Sequence, residues 1–241
     1  MEKVVWLLWG DPARPTDVVD RLRPLVAEPS VLGLGVAQHD QSAAEAPPPV
    51  PYPADEQVHV AEAWAWLANY QSRQVVEDAI AGLGLPWAAY LVVESVVDDY
   101  GTTRHAAART WPDGERSPGV LTVALIHRPP GMDDATWIHN WHEVQSPVSG
   151  ELQPRCRYVR NQVVRALTAE APVVDGIVDE AWPSAAHVAD PMLFFDAGGD
   201  RDVLRANVER MLASGAECLD MDRFRTATMS EYLLKTPGGA T

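Results

Sequence analysis

Apolar residues follow two alternating patterns along the chain: short continuous runs, and stretches in which they recur every three or four positions. In the first half, residues 16–26 and 72–83 have the helical spacing, with Thr16 and Ser72 as candidate N-caps. Four runs have the length and the β-branched or aromatic composition of strands: VVWLLW at 4–9, VLGLGVAQH at 31–39, QVHVAEAWAW at 57–66 and WAAYLVVESVV at 87–97. The first half is therefore predicted to have the order βαββαβ, that of a ferredoxin-like domain.

The second half repeats this order. Its predicted elements are a strand at 120–127, a helix at 133–145, strands at 156–166 and 173–182, a helix at 201–216 and a strand at 224–234. The tripeptide Glu-Ala-Trp occurs at residues 62–64 and again at 180–182, and the same offset of 118 positions aligns VVWLLW with TVALIH at 122–127. Such repetition indicates two copies of one structural unit, residues 1–116 and 117–235, followed by a disordered tail at 236–241.

Each half is predicted to carry its helices on one face of its sheet, which leaves a second apolar face to be covered. We therefore predict the α+β class, with two ferredoxin-like βαββαβ repeats packed sheet to sheet as an intramolecular α+β barrel. The competing interpretation is two unrelated α+β domains. The proline-rich segment 41–55 is predicted to be an exposed loop, because proline removes backbone donors and resists regular structure.

The net charge of −15 at pH 7 argues against nucleic acid and anionic membrane surfaces as partners, because both attract Lys and Arg. No apolar run approaches the ~18 residues of a membrane helix. The short apolar run after Met1 lacks a cleavage site, so we interpret it as a strand rather than a signal peptide and expect a cytoplasmic monomer or homodimer. Cys156 and Cys218 are interpreted as small apolar side chains rather than as a disulfide pair.

The predicted helix in WIHNWHEVQSPV, residues 137–148, holds the first candidates for chemistry. Trp137 and Trp141 are four positions apart, which is typical of a packing stripe, and Trp141 is also a candidate ligand contact. His142 lies at the border of that stripe, facing the space between helix and sheet, and imidazole suits a general acid or base. His139 is three positions away, but the H-E-x-x-H pattern is absent, so no metal site is predicted.

Further candidates lie on the strands. His127 ends its strand at the mouth of any cavity, Tyr158 can hold a carbonyl or donate a proton, and Glu180 is a carboxylate with apolar neighbours on its strand face. Because Glu62 repeats Glu180 in the first half, a structural pairing role is the alternative. The other candidate ligand contacts are Gln145, Arg160, Asn161, Trp182 and Tyr232.

The second half resembles the EthD-like proteins of the dimeric α/β-barrel superfamily. The resemblance rests on LIHRPPGMDD at 125–134, the aromatic-rich helix ending at Pro147, RYVRNQVV at 157–164 and SEYLL at 230–234. It implies a ferredoxin-like fold with a ligand cavity between sheet and helices. The superfamily includes polyketide cyclases, cofactor-free monooxygenases, dehydratases, muconolactone isomerase and haem-binding peroxidases. Where the EthD-like helix carries a histidine, this chain has Gln145, which can hydrogen-bond but cannot titrate.

The combined prediction is a cofactor-independent enzyme that acts on an aromatic or polycyclic small molecule in a catabolic or secondary-metabolic pathway. The expected reactions are dehydration, decarboxylation, cyclisation or another lyase or isomerase step, with His142 or His127 moving a proton and Tyr158 or Glu180 as the second group. One alternative is a non-catalytic binding protein accessory to an oxidative pathway. Others are a cofactor-free monooxygenase, or a haem protein with His142 or His139 as axial ligand.

Overall fold

The computed structural model describes residues 1–14 and 17–238. Within these residues, the strands are β1 (Glu2–Gly10), β2 (Val31–Gln38), β3 (Val58–Leu67), β4 (Trp87–Asp98), β5 (Val120–Ile126), β6 (Arg157–Ala166), β7 (Gly176–Trp182) and β8 (Arg225–Lys235). The α-helices are α1 (Val18–Leu22), α2 (Gln74–Ala81), α3 (Asp134–His139), α4 (Ser146–Leu152), α5 (Ala185–Ala189), α6 (Pro191–Phe194) and α7 (Arg201–Ala216). A π-helical segment, Asn140–Gln145, joins α3 to α4.

The strands close into one antiparallel barrel in the order β1-β3-β2-β8-β5-β7-β6-β4. Within each half, the strands therefore lie in the order fourth, first, third, second. The two halves are joined along β2–β8 and β4–β6, both through continuous backbone pairing. The chain is thus a single α+β barrel rather than two separate domains.

Alternation along the strands divides the apolar residues between two sides of the barrel wall. Val4, Trp6 and Leu8 of β1 pack outward in the cluster that contains α1 and α2. Val5 and Leu7 point inward and share the barrel interior with a set from the other half that includes Leu121, Val123 and Leu125. Because residues of both halves form this inner core, neither sheet has an uncovered apolar face.

The repeated Glu-Ala-Trp does not mark equivalent positions. Glu62 pairs with Leu7 and lies inside the barrel, whereas Glu180 pairs with Thr122 on the outer, helix-covered face. A one-residue change of register moves a side chain to the opposite face of a sheet, so the 118-residue offset matches the first strands but not the third ones. The interpretation of Glu62 as the counterpart of Glu180 is therefore wrong.

The barrel interior is also less apolar than the prediction required. Besides the inner core it contains six fully or almost fully buried polar residues: Lys3, Glu62, Arg157, Asn161, Asp179 and Glu231. Burial of charge is costly unless the groups are paired, and Lys3, Asn161 and Asp179 are linked by hydrogen bonds, as are Arg157 and Glu231.

Two predicted helix boundaries differ in the structure. The helix expected to end at Pro147 continues to Leu152, because the π-helical segment changes the hydrogen-bonding register just before the proline. Pro147 has no N–H for the carbonyl of His142, which instead accepts from Arg160 Nη1 at 3.4 Å. Ser72 does not cap α2; the side chain of Asn69 caps the 3₁₀ turn that precedes it. Thr16 lies outside the described residues, as do positions 239–241 of the predicted tail.

The proline-rich segment 41–55 is mostly exposed, as predicted, but it also packs against the barrel at particular residues. Ala43 and Ala46 are buried. Val50 exchanges hydrogen bonds with Thr226 of β8, and the Tyr52 hydroxyl lies 2.5 Å from His59 Nδ1. The segment is thus pinned to the barrel at two points.

None of the helices that the structure describes is both long enough and apolar enough to cross a membrane.

Candidate functional site

A cavity of about 380 Å³ lies between the outer sheet face of the second half and the helices that cover it. We call it the helix-side cavity. Its walls come from β5, β7 and β8, from the helical stretch around Trp141, from α6 and α7, and from Pro49 and Val50 of the proline-rich segment. Its apolar lining includes Ala124, Ile126, Val178, Val188, Phe194, Phe195, Leu212, Leu219 and Phe224. The volume falls within the ~300–1,000 Å³ typical of small-molecule sites.

Tyr158 and Glu180 place polar groups side by side in this apolar wall. They are direct cross-strand partners on β6 and β7, and both line the helix-side cavity. Opposed residues in an antiparallel pair have Cβ atoms about 4.5–5.5 Å apart, so one ligand can reach both side chains. Gln145, Ser149 and Gln153 add further polar groups to the wall.

Arg155 holds both members of this pair from behind. Its Nη1 donates to Glu180 Oε1 at 2.8 Å, and its guanidinium carbon lies 3.9 Å from the centroid of the Tyr158 ring. The Arg155 residue is only 2% exposed. An ion pair of this kind orients the carboxylate, so Glu180 is not the isolated carboxylate that its sequence neighbours suggested.

The Tyr158 hydroxyl is 3.1 Å from Ser146 Oγ, and the Ser146 hydroxyl itself donates to the carbonyl of Trp141 at 2.8 Å. Ser146 therefore uses its own proton elsewhere and accepts from Tyr158. Burial raises the pKa of Tyr158, an effect that the charge of Arg155 only partly offsets. Tyr158 is accordingly a neutral phenol, and it donates to a ligand oxygen only by turning its single proton away from Ser146.

The π-helical segment determines what the helix presents to the cavity. Trp141 is 2% exposed, lies against Trp137 with ring centroids 5.0 Å apart, and packs over Gly176, where an added Cβ would be 2.8 Å from Trp141 Cη2. Gln145 lines the cavity, but both ends of its amide are held by α7: Nε2 is 3.3 Å from Met211 Sδ, and Oε1 accepts from Ser214. Gln145, which stands where the EthD-like helix has a histidine, is thus a hydrogen-bonding group held in place by α7.

The two histidines predicted to move protons lie elsewhere. His142 is outside the cavity wall, with its ring 4.9 Å from that of Trp141 and its Nε2 buried without a hydrogen-bond partner. His127 lies at one end of the barrel, beside a second cavity of about 550 Å³, and its Nε2 is 2.7 Å from the carbonyl of Val173. Burial lowers the pKa of both imidazoles, with nearby Arg160 and Arg223 acting in the same direction.

The remaining predicted contacts are spread over the molecule. Arg160 bonds to the helix backbone and to Ser146 Oγ, and Asn161 lies inside the barrel. Trp182 is fully buried behind the cavity, stacked on Phe194 with its Nε1 donating to Thr122. Tyr232, on β8, packs against the α1–α2 cluster of the first half and donates to Asp40.

No histidine lines the helix-side cavity in the part of the chain that the structure describes. His139 is exposed and His142 is turned away, so the axial ligands suggested for haem do not face the cavity, and these residues do not fit that group. Over the same residues, no cluster of three or more His, Cys, Asp or Glu side chains is placed to hold a metal ion.

Sequence reasoning identified Tyr158, Glu180, Trp141 and Gln145 but missed Arg155. Arg155 lies just before β6 and reaches Glu180 on the neighbouring strand, so its role depends on the β6–β7 register. Nothing in the spacing of residues along the chain indicates that register.

No protein-family model matches the sequence, and no curated protein matches it. Among solved structures, an anthrone oxidase-like protein superposes with a TM-score of 0.52 at 11% identity, covering 100% of this chain and 96% of that chain. A Fusobacterium nucleatum protein provisionally named a monooxygenase gives 0.48 at 10% identity, covering 100% and 95%. A mutant chlorite dismutase from Candidatus Nitrospira defluvii gives 0.45 at 10% identity, covering 97% and 92%. At these identities the likeness extends to the fold alone, a closed eight-stranded α+β barrel.

Proposed function

We propose that the protein is a cofactor-independent enzyme that transfers protons on an aromatic or polycyclic small molecule bound in the helix-side cavity. The observation that carries the proposal is the Tyr158–Glu180 pair: a phenol and an arginine-paired carboxylate that adjoin one another in a largely apolar wall. A carboxylate and a hydroxyl that reach the same ligand are typical of acid/base sites.

The pair suits removal of a proton from a carbon next to a carbonyl carbon. Glu180 accepts the proton, the electron pair moves to the ligand oxygen, and Tyr158 donates a hydrogen bond to that oxygen as its charge develops. Glu180 then returns the proton to a different carbon, which is an isomerisation, or to a departing hydroxide, which is a dehydration that releases water. Both outcomes balance without an external oxidant or reductant.

Arg155 is a positioning residue in this scheme. It does not line the cavity, and it acts by fixing the position of the Glu180 carboxylate and the plane of the Tyr158 ring. Lysine has a compact ammonium group in place of the planar guanidinium of arginine, so it is a poor substitute at this position. Arg155→Lys should therefore lower kcat more than it raises KM.

The same initial deprotonation would also begin a cofactor-free oxygenation. The name of the anthrone oxidase-like protein refers to oxidation of a tricyclic aromatic ketone. A substrate of that chemical class suits a cavity with this lining. In that variant O₂ accepts the electrons that the isomerase keeps on the substrate.

We also infer that the second half is EthD-like and that the halves are two ferredoxin-like repeats. The strand order, fourth-first-third-second in both halves, supports the second inference. A non-catalytic carrier is the competing function, and it is favoured by Gln145, which replaces the titratable family residue with an anchored amide.

The test starts with mass spectrometry of small molecules that co-purify with the protein, followed by turnover measurements on the compound found. Glu180→Gln and Tyr158→Phe should each lower kcat by about 10²-fold or more, the usual scale for acid/base groups. Glu209→Gln, at an exposed position on α7, and Tyr232→Phe, outside the cavity, are matched controls that should retain activity. Tight binding with no turnover by the wild type would establish the carrier instead.

A further inference from the structure

The interior of the barrel contains more buried acids than cations. Lys3 Nζ donates to Glu94 Oε1 at 2.6 Å and to Asn161 Oδ1 at 2.8 Å. Arg157 Nη1 donates to Glu231 Oε1 at 2.8 Å. These two ion pairs each match one cation with one acid, so the two other carboxyl groups inside the barrel have no cation of their own.

Those two groups, Glu62 and Asp179, meet across the interior. They lie on β3 and β7, strands that are not neighbours in the barrel and belong to different halves. Among the described residues, no hydrogen-bond donor contacts either carboxyl oxygen of Glu62 or the Oδ1 atom of Asp179. Glu62 is 0% exposed and Asp179 is 1% exposed. Asp179 Oδ2 does accept from Asn161, at 3.1 Å.

Two ionised carboxylates have no proton with which to bond each other, and both would be charged in a dry interior. We propose that Glu62 carries a proton at neutral pH and donates it to Asp179, and that this shared proton is a latch that joins the two halves of the barrel across its interior. The barrel is accordingly sensitive to alkaline pH at one defined pair.

The surroundings decide which partner holds the proton. Burial, followed by the charge of Asp179 and its hydrogen bond, raises the pKa of Glu62 well above its usual value. Burial also raises the pKa of Asp179, but Lys3, the bond from Glu62, Arg157 and Asn161 all act in the opposite direction.

The other charged groups of this interior come from four further strands and one loop. They are Lys3 on β1, Glu94 on β4, Arg157 on β6 and Glu231 on β8, with the Tyr100 hydroxyl donating to Glu231. All of these groups are already paired with one another, so none of them replaces the shared proton.

The latch predicts a definite sign for the dependence of stability on pH. The folded chain keeps the Glu62 proton at pH values where the unfolded chain, with an ordinary glutamate pKa of 4.5, has lost it. Unfolding then releases one proton. The contribution of Glu62 to stability therefore falls as pH rises from that value towards the folded pKa, and the unfolding constant increases by about tenfold per pH unit.

The experiment compares urea unfolding of the wild type and of Glu62→Gln between about pH 5 and about pH 9. Glutamine keeps an N–H donor for Asp179 but does not titrate. The ratio of the wild-type unfolding constant to that of Glu62→Gln should rise with pH by up to about tenfold per unit. A ratio that stays constant would overturn the proposal. Glu209→Gln, an exposed change of the same kind, should follow the wild type at every pH.

A second measurement needs no variant and keeps the test decisive if Glu62→Gln does not fold. In wild-type protein with ¹³C-labelled glutamate side chains, one carboxyl resonance at pH 7 should be that of a protonated carboxyl group. If every glutamate resonance is that of a carboxylate, the shared proton does not exist on Glu62. Neither measurement requires a substrate, so the outcome is independent of the proposed enzyme activity.

Discussion

The contact between Gly176 and Trp141 gives a quantitative test of how the site is packed. An alanine Cβ at position 176 would lie 2.8 Å from Trp141 Cη2 and 2.9 Å from two side-chain carbons of Ile126. Carbon atoms pack at about 3.5–4.0 Å, so the overlap is roughly 0.6–1.2 Å. Trp137 packs against Trp141 and restricts the movement of its ring, although Trp141 also borders the helix-side cavity. Gly176→Ala should therefore destabilise the protein by about 1–3 kcal/mol through overpacking.

Removing the indole should relieve the part of that cost that comes from Trp141. Trp141→Ala alone should destabilise the protein by about 3–5 kcal/mol, as truncation of a large buried side chain does. In the double variant the alanine at position 176 meets only Ile126, which can shift into the vacated space, so the total should be up to about 1–3 kcal/mol less than the sum of the two single changes. The assay is urea unfolding followed by far-ultraviolet circular dichroism, which does not depend on tryptophan fluorescence.

Trp6→Ala provides the matched control, because Trp6 is equally buried but belongs to the outer core of the first half. Its combination with Gly176→Ala should be additive within about 0.5 kcal/mol. Additivity of the Trp141→Ala and Gly176→Ala pair to the same tolerance would refute the proposed contact.

Three further predictions use other residues. His142→Ala should leave both the melting temperature and any turnover almost unchanged, because this imidazole neither lines the cavity nor has a side-chain hydrogen bond. A hundredfold loss of kcat would show that His142 takes part in the reaction. Burial lowers the folded-state pKa of His59 to about 3, so its contribution to stability should be lost as the pH falls from about 6.5 to about 3. In urea titrations, His59→Gln should flatten the dependence of unfolding free energy on pH over that range. Tyr52→Phe should speed proteolytic cleavage within segment 41–55 because it removes the bond to His59; an unchanged cleavage rate would show that Val50 alone pins the segment.

Much of the fold could be predicted because strand and helix periods leave strong signals. The bounds of α7 match the prediction at both ends, and the strands agree to within a few residues. The α+β barrel also followed from a simple requirement, namely that one-sided sheets must cover their second face. What sequence reasoning could not supply was the register of strand pairs. Glu62 and Glu180 look alike along the chain and lie on opposite faces of the sheet, and only the hydrogen-bonded pairing distinguishes them.

The site was predicted in part for the same reason. Residue types pointed to Tyr158 and Glu180, but not to the fact that they are cross-strand partners. The π-helical segment was also invisible to a 3.6-residue period, and an ideal helix would have placed His142 nearer the cavity than it is. Arg155 precedes its strand and carries no periodic signal, although it touches both proposed catalytic groups.

The proline-rich segment has a consequence for any ligand. Pro49 and Val50 form part of the wall of the helix-side cavity, while Tyr52 and Glu56 form part of the wall of the cavity at the barrel end. One short strap thus borders two compartments that open on different sides of the barrel wall. If binding in both compartments depends on the position of the strap, each ligand must alter the affinity for the other by the same factor, since binding linkage is reciprocal. Measurements on one compartment should therefore be made with the occupancy of the other controlled.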